Sequence, residues 1–494
     1  MANSSVLLFY RLLIILLSPL IFSSSSSCQM LLLPLTHSLS KTQFTSTHHL
    51  LKSTTARSAA RFRHPQRHHQ QHQQVSLPLS PGSDYTLSFT LGDSSSVSLY
   101  LDTGSDLVWL PCHPFECILC ESKPEKPDPL NISSTASSVS CQSPACSSAH
   151  SSVPTSDLCA VSKCPLDYIE TSDCQSFSCP PFYYAYGDGS LVAKLYRDSL
   201  SMPVSLNRSL VLKNFTFGCA HTTLAEPVGV AGFGRGLLSL PAQLSTLSPH
   251  LGNRFSYCLV SHSFDSDRVR LPSPLILGRY EDKEKRMKTD EAEFVYTDML
   301  DNPKHPYFYS VGLEGISVGK KNIPAPGFLK RVDRKGNGGM VVDSGTTFTM
   351  LPASLYNPVM DEFDRRVGRV HERASQIEDK TGLSPCYYFD NSVVNVPVLK
   401  LHFVGNGSSV VLPRKNYFHE FTDGGDGSSA MKKRKVGCVM LMNGGEEKEL
   451  SSGPGATLGN YQQQGFEVVY DLDKGKVGFA RRECASLWES LNKN

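Results

Sequence analysis

One twelve-residue pattern occurs twice, and it constrains what this chain can fold into more than any other feature. Residues 100–111 read Tyr-Leu-Asp-Thr-Gly-Ser-Asp-Leu-Val-Trp-Leu-Pro, and residues 341–352 read Val-Val-Asp-Ser-Gly-Thr-Thr-Phe-Thr-Met-Leu-Pro. In each copy two strand-forming residues precede Asp, a hydroxyl residue, Gly and a second hydroxyl residue. An apolar residue then follows five positions after the Asp, Leu eight after and Pro nine after. One Asp-[Ser/Thr]-Gly-[Ser/Thr] tetrad arises by chance in roughly a few per cent of chains this long. Two tetrads with matched flanks point instead to a repeated unit in two halves.

The chemistry of the unit follows from its residues. The apolar pair places Asp at the end of a buried strand. Gly permits a turn that a side chain would resist, although Asp-Ser/Thr-Gly alone is also an ordinary turn signal. A pseudo-twofold relating the halves would bring Asp102 and Asp343 to one site. Two adjacent carboxylates cannot both ionise cheaply, so they share a proton. One then serves as base and the other as acid, which suits activation of water against a carbonyl.

With these two motifs the chain resembles the pepsin-like aspartic proteases, and within them the plant nepenthesin-like type, over roughly residues 80–485. The resemblance implies a mostly β, bilobal fold with the cleft between pseudo-twofold-related lobes. It implies an endopeptidase that uses Asp102 and Asp343, with no metal or other cofactor. Thr103 and Ser344 would tie the two turns together, with Gly104 and Gly345 in the turns themselves. Ser105 and Thr346 would bond the outer carboxylate oxygens. The aromatic run before Tyr186-Gly187-Asp188-Gly189 would be the flap, with Tyr186 bonded to Trp109. Many animal relatives have Thr where Asp188 stands, but nepenthesin-like sequences often have Asp. A rival reading is a non-catalytic binding or inhibitor protein of the same fold; both Asp tetrads and the flap tyrosine argue against it.

From its start the chain divides by composition. Seven Lys/Arg precede residue 77, where Asp and Glu are absent, and the other 41 basic residues face 46 acidic ones. A mildly acidic body therefore carries a basic leader, and nothing favours a nucleic-acid partner. Residues 1–27 read as a secretory signal, since the apolar run Leu12–Phe22 is short for a membrane span and small residues follow it. No stable membrane anchor is expected. Residues 28–76 hold six of the seven leader arginines and lysines and a His/Gln-rich run. A metal-binding tract, a disordered linker and a propeptide all fit such composition; a basic segment before an acidic protease body favours a propeptide laid over the cleft. Residues 77–290 and 291–494 would then form the N- and C-terminal lobes.

Nine cysteines lie within 112–179. Cys117 and Cys120 are spaced as in redox or zinc motifs, but a secreted chain favours disulfides. Nepenthesin-like proteases carry a Cys-rich insertion at this place. Without Cys28 in the leader, fourteen cysteines remain, and Cys386–Cys438 is the expected C-lobe bridge. Asn131, Asn207, Asn214 and Asn406 are candidate glycosylation sites by their sequons.

The Gly-rich run 228–241 lacks the Lys-[Ser/Thr] of a phosphate loop. In the family an apolar-apolar-Gly segment here threads beside the catalytic Asp, and Val230-Ala231-Gly232 matches it. Thr457-Leu458-Gly459-Asn460 is the counterpart in the second half, 116 residues after its Asp against 130 in the first. Leu355, Val359, Phe363 and Val367 predict an amphipathic helix. Lys432 to Lys435 reads as an exposed loop. Phe466–Asp471 and Val477–Ala480 predict a closing hairpin. The expected product is a secreted, disulfide-bonded glycoprotein zymogen acting as a monomer on protein or peptide substrates in the cell wall or apoplast, with the vacuole as the alternative destination.

Overall fold

Each Asp motif ends one strand and starts another, and the space between them is filled by a distant strand. The computed structural model describes residues 31–37, 51–52, 54–55, 58, 85–93, 96–120, 128–186, 189–204, 208–246, 249–260, 273–278, 293–389, 395–423, 434–446 and 453–492. In the first half, strand Val230–Gly232 runs parallel to strand Ser96–Asp102, with Asp102 opposite Gly232, and antiparallel to strand Val108–Ile118. In the second half, strand Ala456–Leu458 runs parallel to strand Met340–Val342 and antiparallel to strand Thr349–Leu351. The two apolar-apolar-Gly segments thus take equivalent places. The repeat read from the tetrads extends to half-domain topology.

The halves join through a six-stranded antiparallel sheet, whose centre pairs strand Arg254–Cys258 with strand Phe466–Asp471. Outward from Phe466–Asp471 come Lys476–Arg481 and then Val295–Leu300. Outward from Arg254–Cys258 come Ser273–Leu277 and then Leu31–His37. That last strand belongs to the leader. It pairs with Ser273–Leu277 from Leu31 to Leu35, and Thr36 and His37 continue into register with Thr86 and Tyr85. Leu33 and Leu35 are buried in the core that also contains Phe255 and Tyr470. The proposed boundary between residues 76 and 77 lies outside the described residues, as do residues 1–27 and the lobe boundary at 290. Among the described residues no helix is long and apolar enough to cross a membrane.

Local expectations fare well where periodicity is strong. The hairpin Tyr85–Leu91/Ser96–Asp102 pairs in register from Thr86↔Tyr100 to Thr90↔Ser96. The predicted helix spans Ala353–Val367 and buries Leu355, Val359, Phe363 and Val367. The closing hairpin forms. The basic run differs from expectation: Arg434 and Lys435 open strand Arg434–Val439 rather than a loop. Arg434 stacks 3.8 Å over the Tyr388 ring and bonds Glu372 at 2.7 Å, so an aromatic partner and a carboxylate hold the basic strand end in place.

All fourteen cysteines of the body are paired. The bridges are Cys112–Cys219, Cys117–Cys120, Cys141–Cys159, Cys146–Cys179, Cys164–Cys174, Cys258–Cys484 and the expected Cys386–Cys438. In the insertion, Cys141, Cys159, Cys164 and Cys174 form their own buried cluster. Bridges replace the apolar core that three helices of five to seven residues cannot build. In the chain-entropy picture a bridge closing about 100 residues contributes up to about 4.7 kcal/mol, the scale that applies to Cys112–Cys219. Asn131, Asn214 and Asn406 are exposed; Asn207 lies outside the described residues. Thiol titration of the denatured, unreduced body should find no free cysteine, and several free thiols would contradict this pairing.

The long helix carries one strongly held carboxylate. Glu362 accepts hydrogen bonds from Arg365 at 2.6 and 2.8 Å and from Arg366 at 2.6 Å, and its side chain is 1% exposed. The Arg365 hydrogen bond, aided by Arg366, holds its pKa down to about 2. A carboxylate depressed on folding contributes stability that is full above its ordinary pKa and lost as pH falls through the folded value. The melting-temperature deficit of Glu362→Gln is therefore expected to be constant from pH 7 to about 4.5 and to shrink toward pH 2; a deficit that does not vary with pH would contradict it.

Candidate active site

The two Asp turns meet and are tied to each other by buried hydroxyls. Thr103 Oγ1 donates to Val342 O at 3.0 Å and accepts from Ser344 N at 2.9 Å. Ser344 Oγ donates to Leu101 O at 2.9 Å and accepts from Thr103 N at 3.0 Å. Thr103 and Ser344 are buried, so each bond is made where an unpaired group would cost about 1–3 kcal/mol. Each turn also folds back on its own Asp. Gly104 N donates to Asp102 Oδ1 at 2.9 Å, and Gly345 N donates to Asp343 Oδ1 at 2.7 Å.

Gly104 shows how close the halves come. A Cβ placed there would lie 2.8 Å from the Asp343 carboxyl carbon and from both its oxygens. The backbone after one Asp thus packs against the carboxylate of the other, and only Gly fits. Asp102 is buried and Asp343 is partly open.

The outer hydroxyls break the symmetry. Thr346 Oγ1 donates to Asp343 Oδ2 at 2.6 Å, as expected. Ser105 does not match it: its Oγ is buried and has no hydrogen-bond partner among the described residues. The β-branch restricts the Thr hydroxyl at χ1, whereas Ser is free to leave the bonding rotamer. The aromatic segment expected to be the flap is described in part. Strands Phe182–Tyr186 and Gly189–Val204 pair as a hairpin, and Trp109 Nε1 donates to the Tyr186 hydroxyl. Trp109 is fully buried. Gly187 and Asp188 lie outside the described residues.

Beneath the dyad lies a polar layer that the sequence did not advertise. Gln463 Nε2 donates to Asp343 O at 3.2 Å and to Leu458 O at 2.8 Å, while Tyr257 donates to Gln463 Oε1 and lies 2.8 Å from the Tyr470 hydroxyl. Asn460 Nδ2 donates to Ser344 O at 2.9 Å. The only prior signal was Asn460 after the second Gly motif. The glutamine and tyrosines sit on segments whose pattern reads simply as core.

Comparison with known proteins agrees with this geometry. A xylanase inhibitor N-terminal model matches residues 85–278 and a xylanase inhibitor C-terminal model matches residues 308–481. A probable aspartyl protease of Arabidopsis thaliana is 66% identical over 479 residues, covering 93% of this chain and 94% of the relative. The chain belongs to the aspartyl protease family. Its activity class is that of an aspartic-type endopeptidase. The aspartic proteinase nepenthesin-2 of Nepenthes gracilis is 28% identical over 420 residues, covering 83% of this chain and 81% of the relative. Among solved structures, edgp aligns with a TM-score of 0.60 at 18% identity, over 93% of this chain and 96% of that one. Basic 7S globulin from soybean aligns with a TM-score of 0.59 at 16% identity, over 93% of this chain and 99% of that one. At such identities the two structures establish the fold alone, which is the bilobal, mostly β architecture expected.

For this aspartyl protease the asymmetry of the outer hydroxyls makes a test. Thr346→Val removes a 2.6 Å bond to Asp343 and should lower kcat by roughly tenfold or more, the scale of one hydrogen bond to a charged group. Ser105→Ala removes a hydroxyl without a partner and should cost less than about threefold. Equal losses in peptide-cleavage assays would contradict the geometry.

Proposed function

We propose that this chain is a secreted aspartic endopeptidase that works in acid, and that Asp102 and Asp343 perform the reaction on a water held between them. The observation that carries the proposal is the packing of the Asp343 carboxylate against Gly104, within two cross-tied turns under a flap. In the working form the pair holds one proton. The ionised member takes a proton from the water as its oxygen attacks the scissile carbonyl carbon. The protonated member gives its proton to the carbonyl oxygen. The resulting gem-diol collapses as the first member passes its new proton to the amide nitrogen, the second takes a proton from a gem-diol hydroxyl, and the C–N bond breaks, which leaves the pair again with one proton. Substrate lies extended in the cleft between lobes. The chemistry needs neither a metal nor a covalent intermediate.

We further propose that residues 28–76 act as a propeptide. Their basic composition supports this, as do their described contacts. Leu31–His37 pairs into the joining sheet. Leu51 packs with Phe348, Ile377 and Leu383. Thr55 Oγ1 donates to Thr381 O at 2.9 Å, and Phe348 N donates to Ser58 Oγ at 3.0 Å, five residues after Asp343. These contacts are apolar and hydroxylic, and acid does not weaken them. Release in acid would therefore rest on the leader's charged residues, on cleavage, or on both.

The second reading is a non-catalytic binding protein, favoured by the description of the matching family models as xylanase inhibitor. Retention of both Asp carboxylates in one hydrogen-bonded frame favours catalysis. Asp102→Asn and Asp343→Asn are nearly isosteric, so each should abolish peptide cleavage while leaving secretion and melting temperature close to wild type; full activity in either variant would sink the two-Asp mechanism. The chain without residues 1–27 should be silent near neutral pH, and acid should both remove the leader and start cleavage that a statine-type inhibitor blocks. Equal cleavage at neutral and acid pH would overturn both the shared proton and the inhibitory leader.

A further inference from the structure

The loop after Asp102 carries a third carboxylate that the reaction does not use. Asp106 stands between the strands Ser96–Asp102 and Val108–Ile118. Tyr184, on flap strand Phe182–Tyr186, donates its hydroxyl to Asp106 Oδ1 at 2.8 Å. On another side the Gly-rich loop closes on the same carboxylate. A Cβ on Gly236 would lie 2.0 Å from Oδ2 and 2.7 Å from the carboxyl carbon. A Cβ on Gly234 would lie 2.7 Å from Ser105 O and 2.8 Å from Tyr307 O. This accounts for the last two glycines of the run at 228–241. They let backbone reach the Asp106 carboxylate and the turn beneath it.

Strand alternation turns Tyr184 and Tyr186 to one face, and their ring centroids are 5.0 Å apart. Both reach the segment 102–109, Tyr186 through Trp109 and Tyr184 through Asp106. The flap strand is therefore pinned at two places two residues apart. Burial pushes the Asp106 carboxyl up from its ordinary value, while the Tyr184 bond acts in the opposite sense. Its neighbours Tyr184 and Tyr307 are both phenols pushed further toward the neutral form by burial and by Asp106. A protonated carboxyl still offers its carbonyl oxygen to the Tyr184 hydroxyl, so the bond does not require the ionised form.

We propose that Asp106 and Tyr184 form a second latch on the flap, as positioning residues that hold its strand over the cleft while substrate binds. The proposal rests on the endopeptidase reading for its kinetic consequences and on the described contacts for its geometry. In the acid-activated protein, Tyr184→Phe keeps the ring and removes one oxygen. It should raise KM for a peptide substrate by roughly tenfold, the scale of one hydrogen bond to a carboxyl group, with kcat changed far less. Asp106→Ala should do the same. The double variant should be no worse than the worse single one, because both remove one bond. Asp106→Asn, whose amide oxygen also accepts from a phenol, should recover most of the loss. Additive losses in the double variant, no effect of Tyr184→Phe, or no recovery by Asp106→Asn would overturn the latch. If wild-type protein cleaves nothing, the endopeptidase reading fails separately, and hydrogen exchange decides the latch. Faster exchange of the amides of residues 182–192 in Tyr184→Phe supports it, and unchanged exchange overturns it.

Discussion

The cross-tie between Thr103 and Ser344 is the contact on which the site depends. Four hydrogen bonds of 2.9–3.0 Å link two turns that lie 241 residues apart in sequence. Each hydroxyl both donates to a carbonyl and accepts from an amide of the other half, so neither turn satisfies its backbone alone. That reciprocity fixes the separation of the two carboxylates better than either lobe could. It can work only if the lobes are already held in register. The pairing of Arg254–Cys258 with Phe466–Asp471 does this from below, and Cys258–Cys484 staples the same junction. The layer of Gln463, Tyr257 and Tyr470 carries that rigidity up to the backbone of Asp343.

How much of this was legible depended on whether the signal was local. The paired tetrads disclosed both turns, because Asp, hydroxyl and Gly are each demanded by the turn itself. The helix Ala353–Val367 and the closing hairpin were legible because their apolar spacing repeats. Cys386–Cys438 was the one bridge named in advance, as a plausible pairing within the second lobe. The other six bridges were illegible, since spacing carries no information on which cysteines fold together. Ser105 was expected to mirror Thr346, and the missing bond shows that a matched sequence position does not guarantee a matched rotamer. The leader strand was missed for a related reason. Leu31–His37 has no polar alternation to mark it, and its partner Ser273–Leu277 lies far along the chain.

The halves have diverged in how they guard the site. The first supplies the hairpin proposed as the flap and the disulfide-bonded insertion; the second supplies the tightly bonded Asp343. The insertion follows directly on the strand that carries Trp109, and Cys112–Cys219 joins that strand to its parallel neighbour Arg208–Leu224. The flap strand that returns from the cleft pairs along the same neighbour. The base of that hairpin is thus held by sheet contacts to a disulfide-bonded neighbour, and Tyr186 and Tyr184 tie its other strand to Trp109 and Asp106.

A protein proposed to work in acid must keep its scaffold indifferent to protonation while leaving one pair of groups responsive. The elements that hold this fold meet that requirement by different means. Disulfides do not titrate. The cross-tie uses hydroxyls and backbone groups, which do not change charge in acid. Glu362, buried between arginines, keeps its charge down to about pH 2. The Asp106–Tyr184 contact retains an acceptor whether or not the carboxyl carries a proton. The two residues proposed to react, Asp102 and Asp343, sit inside this frame, with the backbone at Gly104 packed against the Asp343 carboxylate. A frame of this kind keeps the two carboxylates aligned in acid, as the proposed activity requires.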